Sequence, residues 1–235
     1  MLWREANGAR NDLYVSRYSI ATNGWTATKL SGAGNGNVTG FVQDLNNGNL
    51  LTAWTQFNGA YVNVYAARYS TAANAWSAAT RIDAAVGGDA SVYSVAQDAS
   101  GSAVVVGTQW SGAYNDLFAR RYDRAAGTWG ANAVLASSSS GSATPRRSIA
   151  DAMGNVFLLW SQPNLYNAKV GLYASRYDVS TGMWGPTANL APNVGTDVTY
   201  GAVTSPSLFV APLNSTSVFA WELYDGFQWF VTTYR

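Results

Sequence analysis

Val64-Tyr65-Ala66-Ala67-Arg68-Tyr69-Ser70, with Trp76 seven residues beyond Tyr69, is the stretch from which the rest of the chain can be read. It alternates as a pleated strand does: Tyr65, Ala67 and Tyr69 share one face, and Val64, Ala66 and Arg68 share the other. The pattern recurs. Arg-Tyr stands at Arg17-Tyr18, Arg68-Tyr69, Arg121-Tyr122 and Arg176-Tyr177, at steps of 51, 53 and 55 residues, and each Tyr is followed by Trp25, Trp76, Trp129 or Trp184. A fifth, decayed copy carries Thr233-Tyr234. A second Trp precedes each pair at Trp3, Trp54, Trp160 and Trp221, whereas the third copy has Gly107 there and Trp110 three residues on. The aromatic face returns as Tyr14/Tyr18, Phe118/Tyr122, Tyr173/Tyr177 and Phe230/Tyr234. Three copies also share an upstream Asp followed by Gly: Asp44 and Gly48, Asp98 and Gly101, Asp151 and Gly154.

Each full unit reads as four strands, which in the second unit are Val38–Gln43, Leu50–Gln56, Val64–Ser70 and Trp76–Ile82. The first two are joined by the Asp…Gly turn, where Asp bonds the backbone and Gly supplies a positive φ. No stretch offers ten or more residues at helical spacing. Four-stranded units every 50 residues or so, with large aromatics to fill the space between them, predict an all-β chain folded as a β-propeller of about five repeats. The units span approximately 1–30, 38–83, 91–136, 147–191 and 205–235 of one domain. The first begins at its second strand and the last ends after its third, so the terminal blades are incomplete. Unpaired strand edges invite association, and a homo-oligomer completed through those blades is expected.

Charged residues make up 11% of the 235, against about 25% in a typical globular domain. Gly, Ser, Thr, Asn and Ala take their place, a composition suited to short strands and turns. Fourteen Lys and Arg against thirteen Asp and Glu leave a net charge of +1. No basic surface for phosphate neutralisation is visible, so nucleic acid is not an expected partner. Without His there is no imidazole base, no Ser–His–Asp triad and no His metal site. Without Cys there is no thiol nucleophile, thiolate zinc site or disulfide. No apolar run approaches the ~20 residues of a membrane helix, and the N-terminal Met1-Leu2-Trp3-Arg4-Glu5-Ala6-Asn7 lacks the segments of a signal peptide. The residue inventory points to no cofactor, no metal and no catalytic residue.

The fourth unit gives the fullest statement of the motif: Asp151-Ala-Met-Gly-Asn-Val-Phe-Leu-Leu-Trp-Ser-Gln, then Leu172-Tyr-Ala-Ser-Arg-Tyr-Asp and Gly182-Met-Trp-Gly. This resembles the tandem propeller repeats of bacterial, usually secreted, sialidase-like and lectin-like proteins. The resemblance covers nearly the whole chain and is to a blade pattern that many unrelated functions share. It implies a propeller from an exported, extracellular bacterial parent protein. Sialidases carry an Asp box with Ser or Thr two residues before Asp, Gly two after it and an aromatic three further on. Here Gly follows Asp at three or four residues and Trp at nine or ten, a departure that gives sialidase chemistry little support.

A residue at the same place in every blade serves the packing between blades, and the repeated Arg and Trp are read that way. Among the carboxylates, Asp44, Asp98 and Asp151 are read as turn residues and Asp123 and Asp178 as hairpin residues. The loop between second and third strands is more informative. Its copies are Asn7-Gly-Ala-Arg-Asn-Asp, Asn58-Gly-Ala-Tyr-Val-Asn, Ser111-Gly-Ala-Tyr-Asn-Asp, Pro163-Asn-Leu-Tyr-Asn-Ala and Asp225-Gly-Phe-Gln. An aromatic recurs as Tyr61, Tyr114, Tyr166 and Phe227, beside Asn63, Asn115, Asp116 and Asn167. Such a ring stacks on the C–H face of a pyranose while amides and carboxylates bond its hydroxyls. The expected function is that of a non-catalytic, lectin-like propeller binding glycans through these residues, with sites repeated per blade and another protein as the second class of partner. Two alternatives stand beside it: a structural or assembly fragment of a larger repeat protein, and a glycosidase built on carboxylates.

Overall fold

The computed structural model describes residues 1–32, 36–46, 48–84, 87–137, 141–163 and 170–190, together with the strands at 207–210, 217–224 and 229–234. Among the described residues every regular element is a strand. Unit 1 supplies β1 (Leu2–Asn7), β2 (Arg10–Ser19) and β3 (Gly24–Lys29). Unit 2 supplies β4 (Val38–Asn46), β5 (Asn49–Phe57), β6 (Val62–Ser70), β7 (Ala75–Trp76) and β8 (Thr80–Arg81). Unit 3 supplies β9 (Ala90–Gln97), β10 (Ala103–Trp110), β11 (Asn115–Asp123) and β12 (Thr128–Ala136). Unit 4 supplies β13 (Thr144–Ala150), β14 (Val156–Pro163), β15 (Val170–Asp178), β16 (Met183–Trp184) and β17 (Ala188–Asn189), and unit 5 supplies β18 (Ser207–Val210), β19 (Ser217–Tyr224) and β20 (Trp229–Tyr234). Within each unit the strands pair antiparallel with their sequence neighbours, a meander repeated five times.

The chain is an all-β propeller, and its core lies between units rather than inside any one of them. Leu13, Val15 and Leu30 of unit 1 pack with Val38, Trp54 and Ala67 of unit 2. Leu51, Val64, Ala66 and Ile82 of unit 2 pack with Ala103, Val105 and Phe118 of unit 3. Val104, Val106, Leu117 and Ala119 of unit 3 pack with Val156, Leu158 and Trp160 of unit 4. A central strand covered on both faces needs apolar residues at consecutive positions, which is why Val104-Val105-Val106 abandons alternation and is wholly buried. The fully buried Trp54 and Trp160 each stack on the cross-strand Tyr65 or Tyr173, with ring centroids 6.1 and 6.0 Å apart.

The Arg-Tyr pairs make the joins. Arg17 lies over the ring of Tyr69, Arg68 over Tyr122 and Arg121 over Tyr177, at 5.4, 5.6 and 5.1 Å from guanidinium carbon to ring centroid. The Arg of one unit thus caps the Tyr of the next. Alternation explains the direction, since Arg sits on the strand face turned to the following unit and Tyr on the face turned to the preceding one.

Two expectations need correction. Asp98 and Asp151 do close turns, each Oδ1 accepting backbone N–H groups of the next few residues at 2.9–3.0 Å. Asp44 does not. It lies within β4, where its Oδ2 accepts the Gln97 N–H of the next unit at 2.7 Å, and the hairpin turns instead at Gly48, φ +76°. The fourth strand of unit 2 is split into β7 and β8, and that of unit 4 into β16 and β17. Ser77 Oγ takes the Arg68 N–H and donates to Ala78 O, competing with the ladder, while Pro186 of unit 4 has no N–H to give. In unit 3 the strand is continuous.

Candidate functional site

Superposing units on Tyr14, Tyr65 and Phe118 places Asp12, Asn63 and Asp116 at one position, two residues before the aromatic. In unit 1 the buried Asp12 carboxylate accepts from Lys29 Nζ (2.7 Å), Asn7 Nδ2 (2.9 Å) and Ser31 Oγ (3.2 Å). Burial opposes its ionisation, and the hydrogen bonds from Lys29, Asn7 and Ser31 outweigh burial, so the carboxyl titrates below its ordinary range. In unit 2 the equally buried Asn63 accepts from Asn58 Nδ2 (2.6 Å) and donates to Asp83 Oδ2 (3.3 Å), and Asp83 is itself held by Arg81 at 2.8 Å. In unit 3 the half-buried Asp116 has an enclosed Oδ1 that accepts no hydrogen bond.

Three substitutions account for the difference, and all fall on the same spot. Asn7 and Asn58 become Ser111, whose shorter side chain donates to Tyr114 O at 3.2 Å. The outer-strand residues opposite Tyr14 and Tyr65 are the cations Lys29 and Arg81, whereas the residue opposite Phe118 is Val134. Trp3 and Trp54 become Gly107, where a Cβ would come within 2.6 Å of the Phe118 ring. The Phe118 ring has taken the ground on which an indole stands in units 2 and 4.

What results is a pocket of about 220 Å³ lined by Trp110, Asp116, Phe118, Val134, Gln109 and Asn132. Trp110, 41% exposed, also contributes to the lining, and Val134 is 59% exposed. The segment after unit 2 forms the opposite wall with Ala84 and Gly87. It is fixed there by Gln109, whose Oε1 accepts the Ala84 N–H at 3.0 Å and whose Nε2 donates to Ala84 O at 3.1 Å. The Asn132 amide, in the orientation that satisfies both ends, donates to Ile82 O at 3.0 Å and accepts from Ala84 N at 2.9 Å. Among the described residues of the lining, Asp116 is the one acidic or basic side chain.

Of the residues expected from the loop motif, Asp116 lines this pocket. Tyr61, 44% exposed, stands at its edge: its Oη is 3.2 Å from where a Cβ on Gly87 would be. Tyr114 is 42% exposed on the β10–β11 loop but is not in the lining, and Asn115 faces Trp110 across the strand pair while its backbone engages Ser142 and Ala143. Asn63 is enclosed and spent on Asn58 and Asp83, so it supports its own unit's loop. Tyr166, Asn167 and Phe227 lie outside the described residues. Trp110, Gln109, Asn132 and Val134 are not in the loop motif. Their signal was the departure of the third unit from the repeat, visible at Gly107 and Trp110. Among the described residues, no three Asp or Glu gather where a metal ion could be held.

No family model matches the chain, and no curated protein matches it. Among solved structures, it is similar to an α-L-arabinanase of Penicillium chrysogenum complexed with arabinobiose, at 17% identity and a TM-score of 0.46, covering 84% of this chain and 61% of that one. It is similar also to a family 25 polysaccharide lyase, an ulvan lyase, at 10% identity and 0.47, covering 95% and 60%. A third is an endo-arabinase from Bacteroides thetaiotaomicron, at 13% and 0.43, covering 99% and 88%. The chain spans about three fifths of the length of the first two. At such identities and TM-scores these likenesses assign neither activity nor site.

Proposed function

We propose that the protein is a carbohydrate-binding, lectin-like propeller whose site is the pocket of unit 3. The observation that carries this is a concave pocket whose lining includes the acidic Asp116 and the part-exposed aromatic residue Trp110. A carboxylate only accepts hydrogen bonds, so a ligand that brings donors suits this lining. A sugar does so with a hydroxyl while laying its C–H face on the indole. A wholly apolar ligand would bring none.

The lining supports binding over hydrolysis, because glycosidases work with two carboxylates about 5–9.5 Å apart and this pocket is lined by one. Each other described carboxylate on a comparable strand or loop has a structural task. Asp12 is locked by Lys29, Asp83 by Arg81, Asp44 accepts the Gln97 N–H, Asp89 accepts the Val62 N–H at 2.8 Å, and Asp98, Asp151, Asp123 and Asp178 cap turns. The test is a glycan array probed with the wild-type protein and with Trp110→Ala, alongside an assay for reducing-sugar release from the glycans that score. A coherent set of hits lost in the variant, with no release, is the expected result. A blank array at high protein concentration would sink the carbohydrate reading, and release of reducing ends would replace binding by hydrolysis.

A further inference from the structure

We infer that unit 3 alone carries the site, that one chain binds one ligand, and that the ligand is a single sugar ring without an anionic substituent. This rests on the carbohydrate reading and deepens it. It departs from the expectation of a site in every blade.

The argument is positional. A carboxylate or amide at the position two residues before the aromatic is available to a ligand only if its own unit does not use it. Unit 1 uses Asp12 through Asn7, Lys29 and Ser31, and unit 2 uses Asn63 through Asn58 and Asp83. Unit 4 has Gly171 at the same position and unit 5 has Gln228, so neither brings a carboxylate. Only Asp116 is both an acid and deprived of its partners, since Ser111 stands for the amide and Val134 for the cation. The opening is therefore produced by what unit 3 lacks.

Size and charge narrow the ligand. A pocket of about 220 Å³ falls below the ~300–1,000 Å³ of sites that enclose drug-sized molecules, which leaves room for one ring of a chain and not for several. The lining carries a carboxylate and no Lys or Arg. A uronate or sulfated sugar would meet like charge with no cation to compensate, and like charge across an interface is a device of exclusion.

Ser111→Asn is the decisive variant, because it restores the amide that silences the equivalent position in units 1 and 2. The experiment is titration calorimetry with glucose, galactose and mannose and with the matching uronic acids, on wild type, Ser111→Asn and Asp116→Ser, with melting curves of all three. Expected are one ligand per chain, uronic acids at least tenfold weaker than the parent sugar, and at least tenfold loss in both variants, with Ser111→Asn melting no lower than wild type. Asp116→Ser keeps the test decisive if Ser111→Asn folds poorly. Two or more ligands per chain, a uronic acid that binds as well as its parent, or sugar binding indifferent to both variants would overturn this inference and leave the carbohydrate reading standing. Absence of binding by any sugar to wild type would overturn both.

Discussion

Asp12 and Asp116 occupy the same place in two copies of one repeat and lead opposite lives. Asp12 is closed off by an amide, an ammonium and a hydroxyl, and its charge is held within the fold. Asp116 keeps the carboxylate and loses the amide and the cation, and it lines a pocket instead. Repetition supplies the position, and the neighbours decide whether that position holds the blade together or meets something else. A functional site in a repeat protein is thus to be sought where a copy keeps the chemistry and drops its internal partner.

The largest expected effect separates the two acids on stability. Asp12→Ala removes the buried carboxylate that Lys29, Asn7 and the buried Ser31 all engage and should cost about 1–3 kcal/mol, whereas Asp116→Ala should be neutral or slightly stabilising; urea unfolding of the pair measures both. Equal losses would mean that Asp116 is as structural as Asp12. Next comes Trp110→Ala, expected to weaken sugar binding at least tenfold, about 1.4 kcal/mol, while unfolding free energy stays within about 0.5 kcal/mol of wild type. A stability loss as large as the binding loss would make Trp110 a core residue.

Acid sharpens the contrast further. Since the folded-state pKa of Asp12 is depressed, its contribution is fully present above the ordinary carboxylate value of about 3.9 and is lost as pH falls through the folded value. The denaturant midpoint of wild type should therefore drop between pH 5 and 2.5 more steeply than that of Asp12→Asn. The smallest effect tests whether the joins on either side of unit 2 are alike. Arg17→Met and Arg68→Met should each cost about 0.5–1 kcal/mol, Arg68 the more because it also donates to Asn49 at 3.2 Å. A several-fold disparity would show that the two joins are not equivalent.

The repeat, the strand order and the packing role of the Arg-Tyr pairs were legible because they rest on alternation and period, which the sequence states several times over. Asp116 is a candidate from its loop, and it lines the pocket. Asn63 shares that loop position in the sequence, but Asn58 and Asp83 of its own unit enclose it. Trp110 and Val134 escape a motif search because it rewards what recurs, and these two pocket-lining residues depart from the repeat. Asp44 was misplaced for a related reason: its spacing to Gly48 imitates that of Asp98 to Gly101, but two further residues of β4 carry the strand past it before the chain turns. The split outer strands turn on single residues, Ser77 and Pro186, whose local hydrogen bonding no periodic pattern reports.

Because each of the three described joins, from unit 1 to unit 4, draws its guanidinium from one unit and its ring from the next, a unit is a head-to-tail part with one donor side and one acceptor side. That is the heterologous kind of contact, which sets no limit of its own on how many parts follow one another. A gene segment encoding one whole unit, duplicated in place, arrives with both halves of a working join, and its deletion leaves the flanking halves still matched. A cut through the middle of a unit does neither. Lineages of such a chain can therefore gain or lose blades in whole steps while each copy remains free to drift, and a copy like unit 3 can give up an internal contact without breaking the sequence of joins on either side.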